Sequence, residues 1–306
     1  MIRGKSLDHL VLAVTLSAIA GIAANAQQAT LSAAEIVSRN VAARGGLQAW
    51  RAIQTLSFSG KMQAGGDNRP SLPNVGSRRE QKVATPRPTA QVELPFKMEM
   101  KRTRKLRLEL QFNGQTAIQV YDGVNGWKMR PFLNRTDYEP YTADETKAAS
   151  EQADLDGPLV DYAAKGTIVE LAGMEKVNGR DNYRLKLTLK SGYSFHVWID
   201  AQTFLESKIE GTPRRLDGEY RPVEIYMTDY RSTNGLMIPY VLATKVVTPV
   251  PVAGKKDPSQ YSAETITIEE VQLNRQLEDS LFAAPKSDVA VSAPKGVNTS
   301  ATAVRR

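Results

Sequence analysis

Apolar and polar residues alternate at every second position over most of this chain. Phe96, Met98 and Met100 alternate with Lys97, Glu99 and Lys101, and Leu106, Leu108, Leu110 and Phe112 alternate with Arg107, Glu109 and Gln111. A period of two marks strands with one face buried and the other wet. Asn113-Gly114, which follows, is a hairpin signal, because both residues tolerate the positive φ that the favoured two-residue turn demands. Ile118 and Val120 lead to a second turn at Asp122-Gly123, and Trp127 and Met129 resume the pattern. Farther on, Tyr183, Leu185, Leu187 and Leu189 share a face, as do Tyr193, Phe195, Val197 and Ile199 across a Ser191-Gly192 turn. Strand patterns then occupy residues 204–209, 223–230, 236–250 and 265–273, with Asn234-Gly235 as one more hairpin signal. Nearer the N-terminus the alternation begins at Leu56 and Phe58. A Gly-, Pro-, Asn- and Ser-rich stretch over residues 64–77 interrupts it, and Thr85-Pro86-Arg87-Pro88 cannot be a central strand because proline lacks the ladder donor.

Two helical regions break the pattern. Ser32-Ala33-Ala34-Glu35 is a capping box opening a helix with Ile36, Val37 and Val41 on one side and an end at Gly45-Gly46. A short helical turn with Leu47, Trp50 and Ile53 follows. Thr142-Ala143-Asp144-Glu145 is a second capping box, predicting helix from there to about residue 164, broken at Asp156-Gly157-Pro158 and closed by Gly166.

Clean alternation predicts a mainly β fold: a single curved antiparallel sheet, apolar on one face. Roughly ten strands with about three to five inward residues each offer more apolar surface than the few helices can cover. So wide a sheet curls rather than staying open. Short helices laid inside it would plug part of the hollow, and a lasting apolar space implies an apolar guest. Met98, Met100, Met129 and Met227 suit a wall that adapts to variable chains. The alternative is that the interior packs and encloses nothing, and the pattern by itself leaves both open.

The ends set the compartment. Arg3 and Lys5 precede an uncharged apolar run from Leu10 to Ala24, and Ala24-Asn25-Ala26 places small residues at a cleavage position. The run is shorter than the ~18–20 residues that span a bilayer, so residues 1–26 are expected to be a cleavable signal. Residues 27–284 form the expected domain, and the Pro-, Ser-, Ala- and Lys-rich residues 285–306 an expected disordered tail. Cysteine is absent, which removes disulfides, a thiolate nucleophile and the acceptor of a lipid anchor. The expected location is the periplasm. Loss of Arg3, Lys5 and Asp8 would take the formal charge from +7 to +6, mild for a nucleic-acid binder and compatible with work near membranes. A hydrophobic content of 41% suffices for a core.

Candidate chemistry is sparse. His196 is the one histidine beyond the signal, and on the polar face it reads as a surface side chain. One histidine without cysteine leaves a zinc site or a nucleophilic triad short of parts. Glu269-Glu270 point to opposite faces of a strand, and Asp154 and Asp156 belong to the helix break. Gly65-Gly66-Asp67 lacks the helix and the Lys-Ser/Thr ending of a phosphate loop. No enzyme, cofactor or metal is expected. Lys97, Lys101, Arg102, Arg104, Lys105 and Arg107 make the densest positive cluster, with Lys101, Arg102, Arg104 and Lys105 as a candidate docking patch for anionic headgroups. The competing reading is a solvated hairpin end.

Several phrases, in order along the chain, resemble the outer-membrane lipoprotein-sorting family, the LolA-like periplasmic carriers. They are Ala34-Glu35-Ile36-Val37 with Gly45-Gly46 and Trp50; Tyr121-Asp122-Gly123 with Gly126-Trp127; Asp154-Leu155-Asp156-Gly157-Pro158-Leu159; Gly173-Met174-Glu175-Lys176-Val177-Asn178-Gly179-Arg180; Trp198-Ile199-Asp200; Asp229-Tyr230-Arg231 before Asn234-Gly235; Ile238-Pro239-Tyr240; and Leu281-Phe282 before Pro285. The resemblance covers residues 33–285 and implies an incomplete β-barrel with a helical lid over a cavity for acyl chains. Such carriers hold the lid with a pocket arginine, for which these phrases mark no equivalent. The expected lining is Phe96, Met98, Met100, Leu106, Leu108, Leu110, Phe112, Trp127 and Met129 on one side and Leu185, Leu187, Leu189, Phe195, Val197 and Ile199 on the other. Ile36, Val41, Trp50 and Leu159 close it from the helices. The expected activity is transport of lipid or lipoprotein acyl chains across the envelope by a monomer, with an inner-membrane transporter and an outer-membrane acceptor as partners. A non-enzymatic scaffold for an envelope machine is the alternative, and a lipid hydrolase a third.

Overall fold

The structure, a computed structural model, describes residues 31–65, 91–216, 219–247 and 264–284. The expected signal, the expected tail and most of the Pro-rich stretch before Gln91 lie outside the described residues. Helices α1 (Ala33–Ala43) and α2 (Leu47–Ala52) come first. Strands β1 (Thr55–Gly65), β2 (Gln91–Lys101), β3 (Lys105–Phe112), β4 (Gln115–Tyr121), β5 (Gly126–Arg130) and β6 (Arg135–Pro140) follow, with a 3-10 turn, Pro131–Leu133, before β6. Helix α3 (Ala143–Gln152) leads to β7 (Ile168–Val177), β8 (Arg180–Thr188), β9 (Ser194–Asp200), β10 (Glu206–Leu216), β11 (Glu219–Thr233), β12 (Leu236–Val246) and β13 (Glu264–Leu273). A 3-10 turn, Asp279–Phe282, closes the described chain.

All thirteen described strands form one antiparallel sheet in the order β6-β5-β4-β3-β2-β1-β13-β12-β11-β10-β9-β8-β7. It is two meanders joined by the pairing of β1 with β13. Their outer strands, β6 and β7, do not pair, so the single antiparallel sheet that the alternation predicts is an incomplete barrel, as the resemblance implies. The chain from β6 to β7, including α3, links one free edge to the other. Among the described residues no helix is long and apolar enough to cross a membrane.

The local signals act as the sequence indicates. Both capping boxes form: Ser32 Oγ accepts from the Glu35 amide at 3.2 Å while Glu35 accepts from the Ser32 amide at 2.8 Å, and Thr142 and Glu145 do the same at 3.2 and 2.9 Å. Asn113-Gly114 and Asn234-Gly235 adopt φ of 48°/73° and 48°/85°, the left-handed pair that a tight hairpin requires.

Two expectations need correction. Helix α3, expected to reach about residue 164, stops at Gln152, and residues 153–166 run on in turns. Gly157 at φ 76° and Pro158, which lacks an amide hydrogen, keep helical bonding from resuming beyond Gln152. The sheet is also not apolar on one face alone. On the convex side Val120, Leu277 and Phe282 are buried together, with Ile118, Trp127 and Leu281 packed against them. The C-terminal 3-10 turn thus covers a second, smaller core, and full burial of Phe282 is worth about 2 kcal/mol.

Candidate functional site

Register carries one face across the whole sheet. Leu106 lies opposite Met100, Leu108 opposite Met98 and Leu110 opposite Phe96. Met98 pairs with Phe58, which pairs with Val271, and Met62 with Ile266. Ile266 meets Leu242, Leu242 meets Met227, and Ile225, two residues from Met227 and so on its face, meets Ile209. Ile209 pairs with Val197, Val197 with Leu185 and Leu187 with Phe195. Directly opposed residues share a face, so Phe96, Met98, Met100, Leu106, Leu108 and Leu110 lie on the same side of the sheet, the concave one, as Leu185, Leu187, Phe195, Val197 and Ile199.

Trp127 and Met129 do not. Val120 pairs with Trp127 and Ile118 with Met129, and these four occupy the opposite, convex side. The offset arises because Leu106 pairs with Tyr121, putting Tyr121 rather than Val120 inward. Leu189 lies just past the end of β8, where its amide donates to the Tyr193 carbonyl at 2.9 Å.

The concave surface is filled at one part and half-open at another. Ile36, Leu185, Leu187 and Ile199 have 0% exposure, and Val197 and Leu159 have 1%; no void that admits water touches the first four. These expected lining residues are packed core. Trp50, Met100 and Leu106 are likewise buried, with α2 and α3, against Leu56, Tyr121, Leu236 and Ile238. Toward the opposite ends of the central strands, Phe58, Met62, Met98, Leu108, Leu110, Leu242 and Ile266 are partly buried. Phe58, Met62, Leu242 and Ile266 were not in the expected lining, because β1 and β13 become neighbours through pairings more than two hundred residues apart.

Over the buried part lies the segment 153–161, held by cations from four directions. Arg102 grips Asp156 with two bonds of 2.9 and 2.7 Å and also donates to the Ile53 and Trp50 carbonyls at 2.7 and 2.8 Å. Arg44 donates to the Asp156 carbonyl at 3.2 Å, pairs with Glu206 at 3.3 Å and lies over the Trp50 ring at 4.3 Å. Arg51 takes Asp161 in a fork of 2.8 and 2.6 Å. Lys165 reaches both Asp154 oxygens and the Gly157 carbonyl at 2.8 Å. The Asp161 carboxyl is held below its usual range chiefly by the Arg51 hydrogen bond. Nothing local distinguished these arginines among 40 lysines and arginines; the acidic pair Asp154 and Asp156 beside Gly157-Pro158 was the available sign that cations must approach.

The proposed docking patch is engaged within the molecule. Besides Arg102, Lys101 and Lys105 each hold Asp279 at 2.9 Å, and Arg104 donates to the Ser150 carbonyl at 2.8 Å. The lysine pair pulls the Asp279 carboxyl down to about 2. His196 is on the convex side as expected, half-buried, 3.0 Å from Glu210. Nearby, Lys208 lies over the Trp198 ring at 3.8 Å and binds Glu224 at 2.7 Å. Burial and the bond to Glu224 push the Tyr226 hydroxyl up to about 12. No cluster of metal-ligating residues occurs among the described residues.

An open antiparallel sheet wrapped on short helices defines the class: a LolA-like half-barrel. The solved structures bear this out. A LolA superfamily protein from Nitrosomonas europaea superposes with a TM-score of 0.50 at 12% identity, covering 83% of this chain and 99% of its own. A DUF1329 family protein from Desulfovibrio piger gives 0.50 at 13% identity, covering 83% and 98%. At such identity the likeness establishes the fold. No family model and no curated protein matches the sequence.

Proposed function

We propose that this protein is a non-enzymatic periplasmic carrier that shelters acyl chains of a lipid or lipoprotein against the concave face, in transit toward the outer membrane. The observation that carries this reading is the apolar band of Phe58, Met62, Met98, Leu108, Leu110, Leu242 and Ile266, which is only partly buried. Each methylene buried there is worth about 0.8 kcal/mol, so one chain gains useful affinity without specific polar contacts. The LolA superfamily likeness supports the reading at the level of fold, and the N-terminal signal pattern supports the compartment. An inner-membrane transporter and an outer-membrane acceptor are the partners such a role needs.

Native mass spectrometry of protein purified from a periplasm tests it. The expected result is retained lipid-sized mass, lost in Leu108→Glu while the circular dichroism of the fold persists. A bare polypeptide mass would overturn the carrier. That outcome would favour an envelope scaffold, a reading that the solid packing around Leu185 and Leu187 supports. Leu187 itself is unsuitable for the test, since a charge at a fully buried position unfolds the domain whichever role is right.

A further inference from the structure

β2 and β3 pair only from Phe96↔Leu110 to Lys101↔Lys105. Beyond Phe96 the residues of β2 stay on β1, and Gln111 and Phe112 stay on β4, so the two strands part. Pro95 supplies the cause. The Arg102 amide donates to the Gln54 carbonyl, on the β1 side. Amides along a strand alternate in direction, so the odd-numbered ones before it, position 95 included, are directed to β3. Proline has no hydrogen to give there, and the ladder stops one residue short of it. A hollow of about 560 Å³ lies in the fork, lined by residues 92–95 and 111–116.

The same corner carries an apolar tip. In the turn between β5 and β6, Phe132 is 36% and Leu133 49% exposed, and Tyr138 on β6 is 36% exposed. The Asn134 amide donates to the Pro131 carbonyl at 2.9 Å, which closes the turn. Phe132 meets Phe112 edge to face, ring centroids 6.4 Å apart. Phe112 is the last concave-side residue of β3, so an apolar path runs from the tip through Phe112 to Leu110, Leu108 and Met98. Arg130 and Arg135 at the tip share Glu139, at 2.7 and 3.3 Å, which answers one of their two charges. A tip of three exposed apolar side chains offers little area to a folded protein but inserts readily at a lipid interface.

We propose that this corner, the fork of β2 and β3 tipped by Phe132 and Leu133, is the surface this protein lays against a phospholipid bilayer, so that hydrocarbon passes to the concave face through the fork. The inference rests on the carrier reading for its purpose. Its docking arm is measured without it. The chain has no cysteine, so a fluorophore on Leu133→Cys reports from one place, and Val124→Cys, 72% exposed on the β4–β5 turn, is the control. On vesicles of phosphatidylethanolamine and phosphatidylglycerol, the label at 133 blue-shifts and the label at 124 does not, and high salt leaves the shift in place. Equal responses, or none, would overturn the proposal; a response at 133 to a second copy of the protein but not to vesicles would assign the tip to protein contact instead. Phe132→Asp with Leu133→Asp is expected to slow lipid transfer between vesicles about tenfold or more, while mass spectrometry still finds the lipid bound. If the parent protein holds no lipid, the carrier reading fails and the label result still decides docking.

Discussion

Arg102 shows what a single side chain does here. Its guanidinium makes four bonds, two to Asp156 and two to the Ile53 and Trp50 carbonyls, tying the β2–β3 hairpin to α2 and to the segment over the core. The Asp156 side chain is 6% exposed, so removal of its partner leaves a desolvated carboxylate, with Lys165 no nearer than 4.0 Å. Arg102→Ala is expected to destabilise the domain by about 2–4 kcal/mol, read as a lower urea midpoint at unchanged slope. Arg102→Lys should recover less than half, because an ammonium cannot reproduce the planar fork. A midpoint for Ala equal to wild type would mean that Arg102 does not hold the segment over the core. Charge at position 102 is legible in the sequence. Its direction is not: the cluster reads as a docking surface until the fold brings Asp156 and Asp279 to it.

At the scale of elements, what is encoded within a few residues is what the sequence reveals. Capping boxes and Asn-Gly turns depend on near neighbours and appear where the pattern places them. Gly45 and Gly46 illustrate the limit. Both have positive φ, 113° and 93°, as a helix end suggests. A methyl group on Gly45 would collide with the Gly235 carbonyl of the β11–β12 hairpin, whereas one on Gly46 would meet open space. Gly46→Ala should cost about 1 kcal/mol in backbone strain and Gly45→Ala clearly more, about 3 kcal/mol; equal losses in a denaturation series would mean that α1 is not seated on that hairpin. The inward or outward sense of β4 and β5 likewise escaped the pattern. Alternation says that Val120 and Trp127 share a face, but the pairing of Leu106 with Tyr121 decides that this face is the convex one.

For the whole molecule, the C-terminal segment is the clasp that joins distant chain. The Lys101 ammonium binds the Leu277 carbonyl at 2.7 Å, Arg107 the Leu281 carbonyl at 3.2 Å, and both Lys101 and Lys105 hold Asp279. Asp279 titrates lower folded than free, so its contribution is complete above its ordinary value of 3.8 and is lost as pH falls toward about 2. Ring signals of Phe282 should therefore shift through that interval, and Asp279→Asn should abolish the step; a step that survives the substitution would have another origin. The sequence by itself determined a curved, mainly antiparallel sheet with its caps, turns and apolar positions, because periodicity and turn chemistry are set by residues a few places apart. Tertiary structure alone decided that β1 and β13 join the two meanders, that Leu185 and Leu187 are sealed while Leu108 and Leu110 are half-open, and that Pro95 forks the wall. Those outcomes depend on which strand becomes whose neighbour, a choice made by burial summed over the whole chain.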